Sequence, residues 1–200
     1  MNKLKLLDLP YQIDYLEPAI SSQQLSIHHD KHHANYVAKA NELMEQLAES
    51  DERPGLDFGG VYKKLAFNVS GDYLHNLYWE SLGKEGTVTS EIEKILATGF
   101  KNFRAFVSQM KQTALSIEGS GWAALSYNGT NQSLTLLQIQ NHSLNIIPEA
   151  RILLVLDMWE HAYYLDYKND KEKYFDNAFN IINWQKVLER YKAVMAVESV

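Results

Sequence analysis

Residues 150–170 read ARILLVLDMWEHAYYLDYKND. The first half, 150–160, is rich in branched apolar residues and predicts a buried strand. Beyond His161 the spacing of apolar residues turns helical. An acid, Asp157, stands at the end of the apolar run. A carboxylate in such a setting is costly unless it is paired or bound to a metal. His161 follows four residues later, where strand grammar gives way to helix grammar. A chain that makes this change is of mixed α and β type, and its chemistry is to be sought at the change.

The rest of the chain is sorted by the same signals. Residues 1–18 predict an extended arm, because Pro10 and Pro18 resist helix interiors. Ser21 and Gln24 have capping-box spacing. A helical period then runs through Leu25, His28, His32, Tyr36, Leu43, Met44 and Leu47. ESDERPG (49–55) reads as a loop, and a second helical stretch covers about 60–82. Gly71 is a poor helix residue, so an interruption is expected near NVSG, 68–71. GKEGTVTS (83–90) is the candidate boundary. After it, Ser90 and Glu93 can cap a helix with the apolar stripe Ile92, Ile95, Leu96, Phe100, Phe103 and Val107. Two strand-like runs, 122–129 and 133–141, are separated by Asn128-Gly129, a hairpin signal. The expected architecture is therefore α+β. A helical hairpin domain (1–86) precedes a domain (87–200) in which a three-stranded antiparallel sheet is flanked by helices.

Composition narrows the function. The 200 residues can bury a sizeable core, and they carry a net charge of −6 without a basic run. That argues against nucleic acid as a partner. There is no cysteine, which excludes disulfides, thiolate zinc sites and thiol nucleophiles. The charged, proline-broken start does not read as a signal peptide, and no apolar run is long enough to span a membrane. A cytoplasmic setting is expected.

IHHDKHH (27–33) holds four of the seven histidines. Taken alone it admits a metal tract, a proton-handling site or a solvated helix face. On a regular helix His28, His32 and Tyr36 share a face, with His29 and His33 about 100° round. One stripe is expected to face inward and the other outward. The zinc-protease pattern HExxH fails, because residue 29 is His. His75 sits in the aromatic stretch DYLHNLYW. Three histidines and Asp157, drawn from separate segments, would make a nitrogen-rich set that suits iron, manganese or zinc better than calcium or magnesium.

Here the sequence resembles the iron/manganese superoxide dismutases. The likeness runs through LPYQIDYLEPAIS, IHHDKHHANYV, HNLYW, GSGWAAL (119–125), LDMWEHAYYLDYKND and NIINW (180–184), in order along nearly the whole chain. The resemblance implies dismutation of superoxide to oxygen and hydrogen peroxide by one iron or manganese ion per subunit, with either metal admissible. It implies His28, His75, Asp157 and His161 as metal ligands, with solvent in a fifth position. His32 and Tyr36 resemble the gateway and proton-relay pair. Glu160 and Tyr164 resemble residues that cross the interface of a homodimer, with a homotetramer as the alternative assembly. His29 and His33 are left as packing or surface residues.

The chain also departs from the common pattern. The glutamine that serves the bound solvent in many members is absent: Gly71 stands four residues before His75, and the sheet segment reads IQNHSLN. His142 is assigned the glutamine role, as in archaeal-like variants, with Asn141 as the alternative. Such neighbours tune a metal's potential. Leu74 and Lys171 replace the usual Asn and Arg; Lys31 and Lys171 are candidates for attracting an anion to a net-negative protein. Trp79, Trp122 and Trp159 are expected to pack round the metal. Two competing readings remain. A zinc hydrolase on the same residues lacks a separate general base, and a silent relative would keep the fold without turnover. A di-iron bundle is excluded because Glu-x-x-His pairs are missing.

Overall fold

The structure is a computed structural model that describes residues 2–84 and 87–198. After an irregular N-terminal arm, α1 (Ser22–Ile27) runs without a break into a π-helical turn (His28–His33) and on into α2 (Ala34–Ala48). The antiparallel partner is α3 (Phe58–Ser81). The two close on a small core of Ala40, Leu43, Leu47, Val61 and Leu65. Ser21 starts α1 as expected, its hydroxyl accepting from the Gln24 N–H at 3.1 Å. The box is only half made, however. The Gln24 side chain reaches away to the chain around His161.

Two expectations about this hairpin are overturned. First, α3 is not interrupted at 68–71. Gly71 is there for proximity: a Cβ on it would lie 3.0 Å from Cγ of Tyr36. The two helices approach closely at that point, and the aromatic ring takes the space of the missing side chain. Second, the histidine stripes are not divided between inside and outside. His28, His29 and His33 are all buried, and only His32 is half-exposed. The π-turn, in which the Ala34 N–H reaches the His29 carbonyl, widens the helix at this point. The N-terminal arm also covers the His29 side, and His29 Nε2 meets the Leu7 carbonyl at 2.9 Å.

The second half begins with α4 (Ser90–Phe100) and α5 (Phe103–Leu115). Thr89, rather than Ser90, caps α4 by accepting from the Ile92 N–H. Three strands follow: β1 (Gly121–Asn128), β2 (Ser133–Gln140) and β3 (Ala150–Asp157). They form an antiparallel sheet in the order β2-β1-β3. The central strand β1 is buried along nearly its whole length, so it reads as a continuous apolar run rather than an alternation. A 3-10 turn (Glu160–Ala162), α6 (Tyr164–Tyr167), α7 (Lys171–Asn180) and α8 (Trp184–Glu198) complete the fold. The large core joins sheet and helices through Trp122, Leu154, Phe106, Phe175 and Tyr174. α3 packs on β3, which brings the hairpin's inner face against the end of the third strand.

Candidate metal centre

Four side chains from four segments meet at that contact. His28 opens the π-turn, His75 comes from the C-terminal half of α3, Asp157 ends β3, and His161 lies in the 3-10 turn. One ligand atom from each falls within 4.8 Å of all the others. Asp157 Oδ2 is the hub, 3.1 Å from His28 Nε2, 3.2 Å from His161 Nε2 and 3.8 Å from His75 Nε2. Asp157, His75 and His28 are almost wholly buried.

Local structure aims each atom. The register of the sheet sets Asp157 opposite Trp122. Its Oδ1 accepts from the Trp159 N–H at 2.9 Å and its carbonyl from the Tyr174 hydroxyl at 2.7 Å, which leaves Oδ2 for the imidazoles. His75 Nδ1 lies 2.7 Å from the Gly71 carbonyl. A carbonyl only accepts, so the proton is on Nδ1 and the Nε2 lone pair is free. Gln24, which the sequence marks only as a capping residue, donates to the His161 carbonyl at 2.6 Å and accepts from the Leu165 N–H. It ties α1 to the segment that carries His161.

Electrostatics keeps the cluster in ligand form. Burial lowers the His28 pKa to about 4, and the Asp157 carboxylate offsets this only in part. His75 is held well below its ordinary value, by burial first and His28 second. Burial alone would raise Asp157, but His161 and His28 outweigh it and keep the carboxyl well below the usual carboxylate range. The result is one carboxylate beside the imidazole lone pairs of His28 and His75 at neutral pH. Nε2 of His28 and of His75 are buried without a hydrogen-bond partner. Lone pairs aimed at one point beside an anion are what a metal cation needs, so the residues fit a resident ion.

An aromatic shell surrounds the cluster. Trp79 meets His28 edge-on at 4.7 Å, Trp122 meets His75 at 5.0 Å, and Trp159 lies 5.2 Å from His161. His32 stacks flat on His161, with centroids 4.4 Å apart. Tyr36 is buried 5.2 Å from His75 and 4.6 Å from His142. Burial, then the Asp157 charge, raises the Tyr36 hydroxyl pKa, so it keeps its proton. Burial lowers His142 to about 4. The Trp122 indole donates to His142 Nδ1 at 3.1 Å, and His142 Nε2 is buried without a partner. Asn141 is less buried, and its backbone carbonyl receives the Trp159 indole N–H at 3.4 Å. Glu160 and Tyr164 lie on the surface and are not brought to the cluster within this chain. Lys31 is exposed, whereas the Lys171 ammonium is engaged by the Ile117 carbonyl at 2.7 Å.

Known proteins resemble this chain over nearly its whole length. The family described as "Iron/manganese superoxide dismutases, alpha-hairpin domain" matches residues 3–83, and its C-terminal domain counterpart matches residues 88–190. The chain is 41% identical to the superoxide dismutase [Fe] of Methanothermobacter thermautotrophicus, over 96% of each chain. It is 38% identical to the superoxide dismutase [Fe] of Mycobacterium tuberculosis, over 96% of this chain and 95% of that one. It is 37% identical to the superoxide dismutase [Mn/Fe] of Propionibacterium freudenreichii subsp. shermanii, over 92% and 94%.

Proposed function

This chain belongs to the iron/manganese superoxide dismutase family and converts superoxide to oxygen and hydrogen peroxide with iron or manganese, and from that premise we propose which residues do the work. His28, His75, Asp157 and His161 hold the metal. The observation that carries this assignment is the gathering of their four ligand atoms within 4.8 Å, two of them buried imidazole nitrogens without hydrogen bonds. Bound there, the metal supplies one-electron redox chemistry between its +3 and +2 states.

The chain itself must manage protons, since two superoxide ions and two protons give one oxygen and one hydrogen peroxide. Tyr36 holds its hydroxyl proton firmly and serves as a donor. Burial and the neighbouring His161 lower the His32 pKa, so its half-exposed ring is mostly neutral and able to take a proton from solvent and pass it on. His142 offers an N–H at Nε2 inside the aromatic shell. The packed indoles exclude bulk water and so strengthen each of these contacts. Glu160 and Tyr164 serve across the interface of a homodimer. The boundary between the two domains is placed at 86/87, beside residues 85–86, which lie outside the described ones. The protein works as an antioxidant enzyme of the cytoplasm, a setting that suits a chain without cysteine.

The test is activity per metal atom. Apoprotein is loaded with iron in one sample and manganese in another, and bound metal is quantified. Activity with one metal names the cofactor, and comparable activity with both marks an enzyme that accepts either. Inactivity of both fully loaded forms would remove the reading.

A further inference from the structure

One side of the cluster is built around a histidine that ligates nothing. The His33 ring is fully buried and lies against three residues of α3. Its Nδ1 is 3.1 Å from the Trp79 indole nitrogen, and its Nε2 is 2.8 Å from Asp72 Oδ1. Between those two ends its face stacks on His75, with centroids 5.1 Å apart and planes 12° from parallel. Asp72, His75 and Trp79 stand at i, i+3 and i+7, one stripe of the helix. A single imidazole from the π-turn is therefore laid lengthwise along the stripe that carries a metal ligand.

Chemistry allows one arrangement of protons. An indole N–H can only donate, so His33 Nδ1 accepts and the ring proton sits on Nε2, where it donates to the Asp72 carboxylate. Asp72 Oδ1 also accepts from Asn76 at 3.1 Å. Both ends of the ring are pinned, and its plane cannot turn without breaking a buried hydrogen bond. The plane of His75 is set in turn. Its Nδ1 is held by the Gly71 carbonyl, one face lies on His33, and His161 is near parallel on it at 5.9 Å. Trp79, which fixes one end of His33, also packs edge-on against His28.

We propose that His33 is a positioning residue for the metal centre: held between Trp79 and Asp72, it sets the ring orientation of His75 and, through Trp79, that of His28. The inference rests on the reading of His28, His75, Asp157 and His161 as ligands. The acid at position 72 is then no solvated charge. It anchors a ring that touches a ligand.

The test compares iron-loaded His33→Phe, His33→Gln and wild-type protein by the ferric electron paramagnetic resonance spectrum and the rate of iron release to a chelator. Phenylalanine keeps a flat ring over His75 but loses both pins; glutamine keeps an acceptor for Trp79 and a donor for Asp72. The expected result is a broadened or shifted ferric signal and roughly 10- to 100-fold faster release for His33→Phe, with release largely restored in His33→Gln. A folded His33→Phe with wild-type spectrum and release rate would overturn the proposal. Should His33→Phe fail to fold, Asp72→Leu is measured in the same way, and a wild-type spectrum and release rate there would overturn it too. Wild-type protein that binds no iron would remove the ligand reading and this inference with it, which is distinct from a wild type that binds iron beside an indifferent His33→Phe.

Discussion

The indole N–H of Trp122 donates to Nδ1 of His142 at 3.1 Å. Since tryptophan can only donate, the neutral imidazole must carry its proton on Nε2, the nitrogen that faces no partner in the chain. Trp122→Phe releases that constraint while keeping an aromatic wall. The turnover per metal atom is expected to fall by about tenfold, the scale typical of lost supports around a metal site. Steady-state rates at matched metal content check this, and an unchanged rate would show that the tautomer of His142 does not matter.

Asp157 is the one anion among the four converging groups and the hub of their contacts. Asp157→Ala leaves three imidazoles without a charge partner. Retained metal should drop from near one ion per chain to below about a tenth, because ligand charge and count set affinity. His28→Ala should behave in the same way. Elemental analysis after gel filtration decides it, and full metal content in either variant would refute the ligand set.

Gly71 lies against the Tyr36 ring, which is itself confined by Phe67, His75 and His142. Gly71→Ala gains about 1 kcal/mol of helix propensity but overpacks a ring that cannot easily move, at a cost of roughly 1–3 kcal/mol. A net loss of about 1 kcal/mol in urea unfolding is expected, with altered turnover. Tyr36→Phe should instead keep the metal and change the rate at high superoxide, read by pulse radiolysis. An unchanged rate would take Tyr36 out of the proton relay.

Acid should weaken the metal-free protein before its carboxylates titrate. His28 and His142 are buried with pKa values of about 4, below the ordinary 6.5. Between those values the unfolded chain binds more protons than the folded one, so stability rises with pH and falls on acidification. The loss from pH 7 to pH 5 is on the order of 2 kcal/mol per imidazole. Asp157 acts in the same sense but in a lower window: its depressed pKa contributes stability above the ordinary carboxylate value and loses it only in stronger acid. Urea unfolding of apoprotein at the two pH values should therefore show a lower midpoint at pH 5. Equal midpoints would mean that these imidazoles are not buried in neutral form.

Glu160 and Tyr164 sit exposed beside His161, where a second copy could meet them. Light scattering is expected to give twice the chain mass of 23.0 kDa, with Glu160→Ala weakening the association. A monomer, or a dimer indifferent to Glu160→Ala, would remove the interface roles.

Much of the fold was legible because its signals are local. Ser21 and the hairpin residues Asn128-Gly129 mark ends that the backbone requires, and the apolar run before Asp157 is long enough to name a strand. The acid at its end pointed to chemistry because a buried carboxylate demands a partner. The same argument applied to Asp72, three residues before His75 in an aromatic segment, would have flagged it, but its partner His33 is 39 residues away.

The sequence by itself determined the α+β order of elements, the family motifs and the residue types able to hold a metal, since these depend on periodicity, turn chemistry and donor atoms. Only the tertiary structure decided how the four histidines of residues 27–33 divide their work. The π-turn, the covering arm and the close passage of Tyr36 over Gly71 bury His28, His29 and His33 and leave His32 half-exposed, and none of these features is visible in a one-dimensional period. Which imidazole nitrogen carries a proton was likewise decided in space, by a carbonyl facing His75 and by indoles facing His33 and His142.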